Sequence, residues 1–381
     1  MGDTAVQEYA ELTEAEAAEQ LSAWFAGEVA GARTAAHSVL VQSGGDVRAV
    51  VESGLLAPGA CVFAADAHVV AAGPAELPEG GGPRAVEVEG GVEYSGDELV
   101  MSGNLYVQVF DYGSLPYLSV AGPTVVRVTG PEDHEAFLDD ADRALRDGVW
   151  SEGLAHPSVQ LADLTTLVSP TKDTGLGRLY VTADGQVRTG VGGQDLGPVT
   201  AGSEALRAAL DAGAGDPSLG SVVPDDVLRA GAAERPWLGR YAKALEVRRR
   251  LAPKYGTDVR VSGFGGRFTE GLPAHPVESA DEVLLVEVLG DFLAVRTHDY
   301  RLFRLGKGSA RLLEIFSALG ATSPLGATSS PDAANSTDAA HAAATAARLL
   351  DMTDDEARDA HAALTARLGL AGAPAATTGG A

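Results

Sequence analysis

Three strand-like segments followed by three helix-like segments fill residues 281–368, and this order is the strongest constraint on the fold. The strands are predicted at 281–288, 292–296 and 301–305, where short runs of β-branched and aromatic residues occur. Leu289-Gly290-Asp291 separates the first two runs as a tight turn. The segment therefore begins with three short antiparallel strands.

The helices of this segment show clear boundaries. The first is predicted to begin with Ser309 as N-cap and to stop at Gly320, and the second covers 341–350. A capping box, a hydroxyl residue followed three positions later by Glu, opens the third helix over 353–368. The Ser-, Thr-, Ala- and Pro-rich insert 321–338 has too few apolar residues to fold and is predicted to be a mobile loop.

The sequence predicts a multidomain protein of the α+β or α/β class. Residues 1–150 are predicted to form an N-terminal α/β domain, and 151–278 a central region with a hairpin at Asp184-Gly185 and a basic helix. Residues 279–371 form a winged-helix-like module of three strands and three helices, and 372–381 a disordered tail.

Short sequence patterns predict the helices and strands of the N-terminal domain. A capping box at Thr13 opens a helix, and a helix with proline and acidic residues in its first turn begins at Pro131. Between them the β-branched runs predict strands, which are expected at 39–41, 60–63, 105–110 and 124–128.

Charge and cysteine content exclude several function classes. The 28 Lys and Arg residues against 53 Asp and Glu residues give a net charge of −25, which opposes binding to nucleic acid or to an anionic membrane. Cys61 is the single cysteine, which excludes an intramolecular disulfide, a cysteine zinc site and an iron–sulfur cluster held by protein thiolates. No signal peptide and no apolar stretch of about 18 residues is found. We expect a cytoplasmic protein.

No motif predicts a catalytic residue, a metal site or a cofactor. The eight histidines lack zinc-ligand spacing, and the nucleophile-elbow and P-loop patterns are missing. The glycine-rich segments 190–197 and 263–268 are interpreted as turns, since neither has the helix that a phosphate loop needs. The acidic residues at 133–140 lie in the first turns of a helix, where its dipole favours them.

The C-terminal module resembles a known peptide-binding family. RLFRLGKGSARLL (301–313) leads from the third strand into the first helix, and LTARLGL (364–370) closes the third helix. In this order the module resembles the RiPP recognition element, which binds leader peptides of ribosomally synthesised and post-translationally modified peptides. The hairpin LYVTADGQVRTG (179–190) is similar to part of the recognition proteins encoded with daptide precursors. The insert 321–338 departs from the compact family form.

The resemblance implies where a peptide would bind. An extended leader segment would add to the edge of the third strand, with the third helix as the other wall. Either Leu302 or Phe303 packs on the helices, and Arg301 and Arg304 could pair with acidic leader residues. The helix face that contacts the peptide is left open. The peptide-binding residues implied are Arg301, Phe303, Leu305, Arg358, His361 and Thr365.

A basic segment contrasts with the acidic chain. Residues 235–267 hold nine of the 28 cations within 33 residues. This segment is either a patch for an acidic peptide or partner enzyme, or a solvated helix face that offsets nearby acids. The candidate patch consists of Arg240, Lys243, Arg248, Arg249 and Arg250.

The sequence supports one leading hypothesis. We expect a non-catalytic recognition protein that binds a precursor peptide by its leader and presents it to the peptide-modifying enzymes of the same pathway. One alternative is a degenerate or unrecognised enzyme of that pathway. Another is a winged-helix transcription regulator, which is less favoured because the third helix opens with acids at 354–356 and carries only Arg358 and Arg367 as cations.

Overall fold

A computed structural model describes nine stretches of the chain, and these form two compact units. The described residues are 12–28, 35–68, 82–101, 103, 105–170, 176–213, 218–272, 283–319 and 334–370. Unit 1 combines Met1–Leu138 with Ser158–Glu234, and unit 2 combines Asp139–Pro157 with Arg235–Ala381. The predicted domain boundaries at 150 and 278 stay predictions.

Unit 1 is built on one mixed sheet of ten strands. The strand order is β10-β9-β8-β1-β2-β3-β4-β5-β6-β7. Strand β1 pairs in parallel with β2 and β8, whereas β4 is antiparallel to β3 and β5. The strands are β1 (Ala36–Val41), β2 (Leu56–Ala64), β3 (Arg84–Gly90), β4 (Glu98–Met101), β5 (Leu105–Asp111), β6 (Thr124–Arg127), β7 (Val159–Leu161), β8 (Arg178–Val181), β9 (Gln186–Arg188) and β10 (Asp195–Pro198).

Among the described residues, seven α-helices lie between residues 14 and 234, and a 3-10 helix at Tyr112–Tyr117 follows β5. Helix α3 contributes its first residues to unit 1 and the rest to unit 2, and α4 belongs to unit 2. The helices are α1 (Glu14–Ala26), α2 (Val47–Glu52), α3 (Pro131–Asp147), α4 (Glu152–Ala155), α5 (Leu164–Val168), α6 (Gly202–Ala212) and α7 (Asp225–Glu234).

The sheet of unit 1 curls around α1. Strands β7 and β8 are far apart in the strand order, yet Asp163, just after β7, forms a buried ion pair with Arg178 of β8. Helix α1 lies between them: the Trp24 indole N–H donates to the Leu179 carbonyl at 3.1 Å, and the Asp163 N–H donates to the Phe25 carbonyl at 2.9 Å. The concave face and α1 therefore share one apolar core.

Unit 2 contains a separate antiparallel sheet of four strands in the order β11-β12-β13-β14. They are β11 (Val259–Val261), β12 (Val283–Val288), β13 (Asp291–Arg296) and β14 (Leu302–Leu305), and the helices are α8 (Leu238–Tyr255), α9 (Lys307–Ala318), α10 (Ala334–Leu350) and α11 (Asp354–Leu368). Leu289 and Gly290 take positive φ angles of 51° and 84° in the β12–β13 turn. Strands β12 to β14 pack one face on α9 and α11.

Several local predictions are confirmed. Thr13 and Thr353 both form capping boxes, and Gly369 ends α11 in the left-handed conformation. The hairpin at Asp184-Gly185 joins β8 and β9. All predicted strands of the N-terminal and C-terminal segments are present, within a few residues of their predicted ends.

Three predictions need correction. Ser309 does not cap α9, which begins at Lys307 after Gly306, because the chain leaves β14 directly into the helix. The insert predicted as a loop over 321–338 is helical from Ala334, and its earlier residues lie outside the described residues, as does the tail 372–381. The sheet of unit 2 has a fourth strand, β11, whose three residues are too few for a sequence signal.

The fold is therefore mixed α/β, with a large mixed sheet and a separate antiparallel sheet. The winged-helix-like arrangement of the C-terminal module stays a prediction. None of the described helices is long and apolar enough to cross a membrane.

The Arg178–Asp163 pair should be important for the stability of unit 1. Replacing Arg178 with Met leaves a buried carboxylate uncompensated, and we expect the free energy of unfolding to fall by about 3–5 kcal/mol. Arg143→Met, which removes an exposed guanidinium that pairs with the half-buried Asp140, should cost about 1 kcal/mol or less. Urea unfolding followed by fluorescence measures both, and equal losses would contradict the role given to the buried pair.

Candidate functional site

Strand β14 lies at one edge of the sheet of unit 2, and its register shows which main-chain groups bond to β13. The Arg296 N–H donates to the carbonyl of Arg301, directly opposite, at 3.0 Å. Opposite residues of an antiparallel pair alternate between hydrogen-bonded and non-hydrogen-bonded positions. Phe303 and Leu305, two and four residues after Arg301, therefore also direct their main-chain groups to β13.

The two intervening residues face outward. By the same alternation, the N–H and carbonyl groups of Leu302 and Arg304 point away from β13. They have no hydrogen-bond partner anywhere in the part of the chain that the structure describes. An edge with free donors and acceptors at alternate residues is a template for an added strand.

Strand β11 forms the opposite edge, and its outward groups can be identified in the same way. The Ser262 N–H donates to the carbonyl of Leu285, directly opposite, at 2.9 Å. This places Arg260 in a hydrogen-bonded position and directs the main-chain groups of Val259 and Val261 out of the sheet.

Three of the four outward groups of β11 are already occupied. The Val259 carbonyl accepts from the Arg248 guanidinium, and the Val259 N–H donates to the Thr257 carbonyl at 2.9 Å. The Val261 carbonyl accepts from the Phe264 N–H at 3.1 Å. The two edges therefore differ: hydrogen bonds within unit 2 occupy three of the four outward groups at β11, while those at β14 are free to bind.

Helix α8 supplies the arginine that closes β11, and this corrects the predicted surface patch. Arg240, Arg248 and Arg249 are buried, and each donates to a main-chain carbonyl. They lie at helical spacing on the apolar face of α8, so their charge is directed into the fold. Of the five predicted patch residues, Arg250 is exposed and Lys243 half-buried.

These arginines stay charged although burial opposes it. Desolvation lowers the pKa of Arg240 to about 9 and that of Arg248 to about 10, both above neutral pH. The Arg248 guanidinium also lies 4.9 Å from the centre of the Trp150 ring, which stacks on Tyr241 at 5.5 Å. Arg248 thus joins α8, an aromatic cluster and the edge strand.

A buried carboxylate holds the loop after β11. Glu314 of α9 is 1% exposed and accepts hydrogen bonds from the Ser262 hydroxyl and, at 2.8 Å, from the Phe268 N–H. The glycine-rich segment 263–268 is therefore a turn fixed by α9, in agreement with its interpretation from the sequence. Arg267 donates to the same hydroxyl at 3.2 Å.

On the helix side of β14, an apolar floor is formed. Phe303 and Leu305 pack with Leu364 and Leu368 of α11. Phe303 is therefore the residue of the Leu302/Phe303 pair that packs on the helices. The Arg301 guanidinium lies 5.6 Å from the centre of the Phe303 ring.

Arg296, which sequence reasoning missed, also borders this floor. Its guanidinium lies 5.9 Å from the Phe303 ring centre, donates to the Leu368 carbonyl at 3.2 Å and pairs with Asp299. A cation at the carbonyl end of a helix is favoured by the helix dipole. Arg296 thereby ties the end of α11 to the end of β13.

The three predicted peptide-binding residues of α11 have other contacts. His361 stacks on Phe316 of α9, with ring centres 3.9 Å apart. The Thr365 hydroxyl donates to the His361 carbonyl at 3.0 Å, and Arg358 pairs with Asp355. The structure thus brings Arg301, Phe303 and Leu305 together, while His361 faces α9.

Elsewhere in the described residues, few side chains are arranged for catalysis or metal binding. No group of three or more His, Cys, Asp or Glu residues suited to a metal ion occurs among them. Burial raises the pKa of the Cys61 thiol to about 12, so this cysteine is not an activated nucleophile.

No protein-family model matches the sequence, and searches of curated proteins and solved structures found no similar protein.

Closure of β11 by Arg248 can be tested with a matched pair on one helix. Arg248→Met removes the donor of the buried Val259 carbonyl and a second donor of the Thr257 carbonyl, and we expect the free energy of unfolding to fall by about 2–3 kcal/mol. Arg250→Met removes an exposed cation that pairs with Glu246, and should cost about 1 kcal/mol or less. Denaturant unfolding distinguishes the two, and similar costs would refute the closure.

His361 should make stability depend on pH. Burial lowers the pKa of His361 from 6.5 to about 4, so the folded protein keeps the ring neutral where the unfolded chain protonates it. Above about pH 7 the ring is neutral in both states, so His361 does not lower the stability there. As the pH falls from 6.5 to 4, only the unfolded chain gains the proton, and for this partly exposed ring we expect the free energy of unfolding to fall by about 2 kcal/mol.

His361→Phe keeps an aromatic ring against Phe316 and removes the titration. The difference in unfolding free energy between the two proteins should grow in favour of the variant as the pH falls from 6.5 to 4. Urea unfolding at several pH values measures it, and a constant difference would show that His361 protonates freely in the fold.

Proposed function

We propose that this protein is a non-catalytic recognition protein for a precursor peptide, and that an extended segment of the leader adds to β14 as a fifth strand. The observation that carries this proposal is the contrast between the two sheet edges: three of the four outward groups of β11 are bonded, whereas Leu302 and Arg304 direct free main-chain groups outward. Strand addition is a common mode of peptide recognition and uses such free groups.

Side chains beside the edge would select the peptide. An added strand places alternate side chains on the two faces of the sheet. Those on the helix side would lie beside Phe303 and the apolar residues Leu364 and Leu368 of α11, which form the second wall. This use of the third strand and the third helix is the one that the resemblance to the RiPP recognition element implies.

Binding without chemistry has a clear role in a biosynthetic pathway. A protein that binds the leader and also associates with modifying enzymes raises the effective concentration of the core peptide at their active sites. We propose the cytoplasm as the place of action and the modifying enzymes of the same pathway as partners.

A proline at β14 tests the proposal directly. Leu302 is the first residue of the strand and its N–H faces outward, so Leu302→Pro removes no hydrogen bond of the sheet and should fold. The proline ring blocks an added strand, and we expect binding of a labelled leader peptide to weaken by about tenfold or more. The labelled peptide is the N-terminal segment of whichever short open reading frame lies beside the gene for this protein, and fluorescence anisotropy measures the affinity.

Leu302→Val is the matched control, because it keeps both the N–H and an aliphatic side chain suited to a strand. It should retain most of the affinity, and circular dichroism should show that both variants melt close to the parent protein. Equal binding by Leu302→Pro and the parent would exclude β14 as the binding edge.

A further inference from the structure

The side chains of β14 divide between two faces with different character. Phe303 and Leu305 face the helices, whereas Leu302 and Arg304 project from the opposite face. Leu302 is 49% exposed and the Arg304 side chain 74% exposed. Residues of an added strand that lie across from Leu302 and Arg304 would be two positions apart and on this same face.

The sequence segment that contains β14 has a charge opposite in sign to that of the whole chain. Residues 291–311 contain five cations and two carboxylates, a net charge of +3 within a chain of −25. They are Arg296, Arg301, Arg304, Lys307 and Arg311, against Asp291 and Asp299.

The two carboxylates do not neutralise this charge. Asp291 pairs with Arg304 at 2.6 Å, and Asp299 pairs with Arg296. Arg301 and Lys307 are exposed and have no ion-pair partner among the residues that the structure describes. Carboxylates of an acidic peptide would form ion pairs with these cations, and attraction between opposite charges would also speed the association of the peptide.

At the other end of the strand, the exposed Leu302 side chain favours an apolar residue in the bound peptide. Its side chain has a cross-strand neighbour, Val295, on one side only, and the open side leaves it half exposed. An aliphatic residue on the added strand would cover it. A second copy of β14 would fit poorly, because it would bring the same positive charge to the edge.

We infer that the peptide segment bound at β14 carries a carboxylate and an aliphatic side chain two residues apart, the carboxylate across from Arg304 and the aliphatic group across from Leu302. This inference rests on the proposed function and adds the chemical class of the peptide. The order of the two residues gives the direction of the strand: acid first for antiparallel addition, and acid last for parallel addition.

A peptide-display experiment tests this pattern without knowledge of the natural leader. A library of random twelve-residue peptides is selected on the full-length protein and counter-selected on Leu302→Pro. Enriched sequences should contain Asp or Glu two positions from Leu, Ile or Val.

Charge reversal then identifies the residue that binds the acidic side chain of the peptide. On Arg304→Glu the enriched position should change to Lys or Arg, and a labelled acidic peptide from the first selection should bind roughly three- to tenfold more weakly. Arg304→Gln, which adds no repulsion to Asp291, should lose the preference without reversing it. Arg143→Glu, an exposed charge reversal on α3, should select the same peptides as the parent protein.

The outcomes separate this inference from the proposed function. Enriched peptides without an acidic preference, or an unchanged preference on Arg304→Glu, would overturn the inference while strand addition at β14 stands. Peptides that bind Leu302→Pro as well as the parent would overturn both. A library with no enriched sequence would overturn the inference, and the anisotropy titration with the leader would then decide the proposed function by itself.

Discussion

Hydrogen bonds from buried arginines to main-chain carbonyls determine which parts of this fold are closed. Arg178 joins Asp163 and the carbonyl at the end of α1, and so holds the curled sheet of unit 1 around its central helix. In unit 2, Arg248 binds the carbonyls of Val259 and Thr257. The Val259 carbonyl and the Asp163 carboxylate are buried, and each guanidinium compensates for the cost of its own burial by bonding to one of them. Removing either arginine leaves such a buried group without its cationic partner.

The functional proposal depends on this closure. A four-stranded sheet has two edges, and each could pair with another chain. Because Arg248 and the turn after β11 occupy most of one edge, β14 is left as the edge with free groups. The helices behind β14 fix its position: Arg296 joins α11 to β13, and Glu314 joins α9 to the loop after β11. These contacts hold the sheet against the two helices that pack on one of its faces.

Local signals in the sequence predicted the elements but not the environment of their charges. The capping boxes at Thr13 and Thr353 and the Asp184-Gly185 turn were readable because each depends on a few neighbouring residues. The register of β14 was not, since it follows from pairing with β13, and the sequence pointed to Arg301 and Phe303 where the structure exposes the main chain of Leu302 and Arg304. The arginines of α8 look like a surface patch until their helical spacing is compared with the apolar residues beside them. Strand β11 has three residues, too short a pattern to be recognised alone.

If free main-chain groups of β14 bind the peptide, amide hydrogen exchange at this strand will detect it. In the free full-length protein the amides of Leu302 and Arg304 should exchange quickly, while that of Phe303, bonded to β13, is protected. Addition of the leader peptide should slow exchange at Leu302 and Arg304 by about a hundredfold and leave Val259 unchanged. Protection of both amides in the free protein, or slowing confined to residues away from β14, would contradict the account.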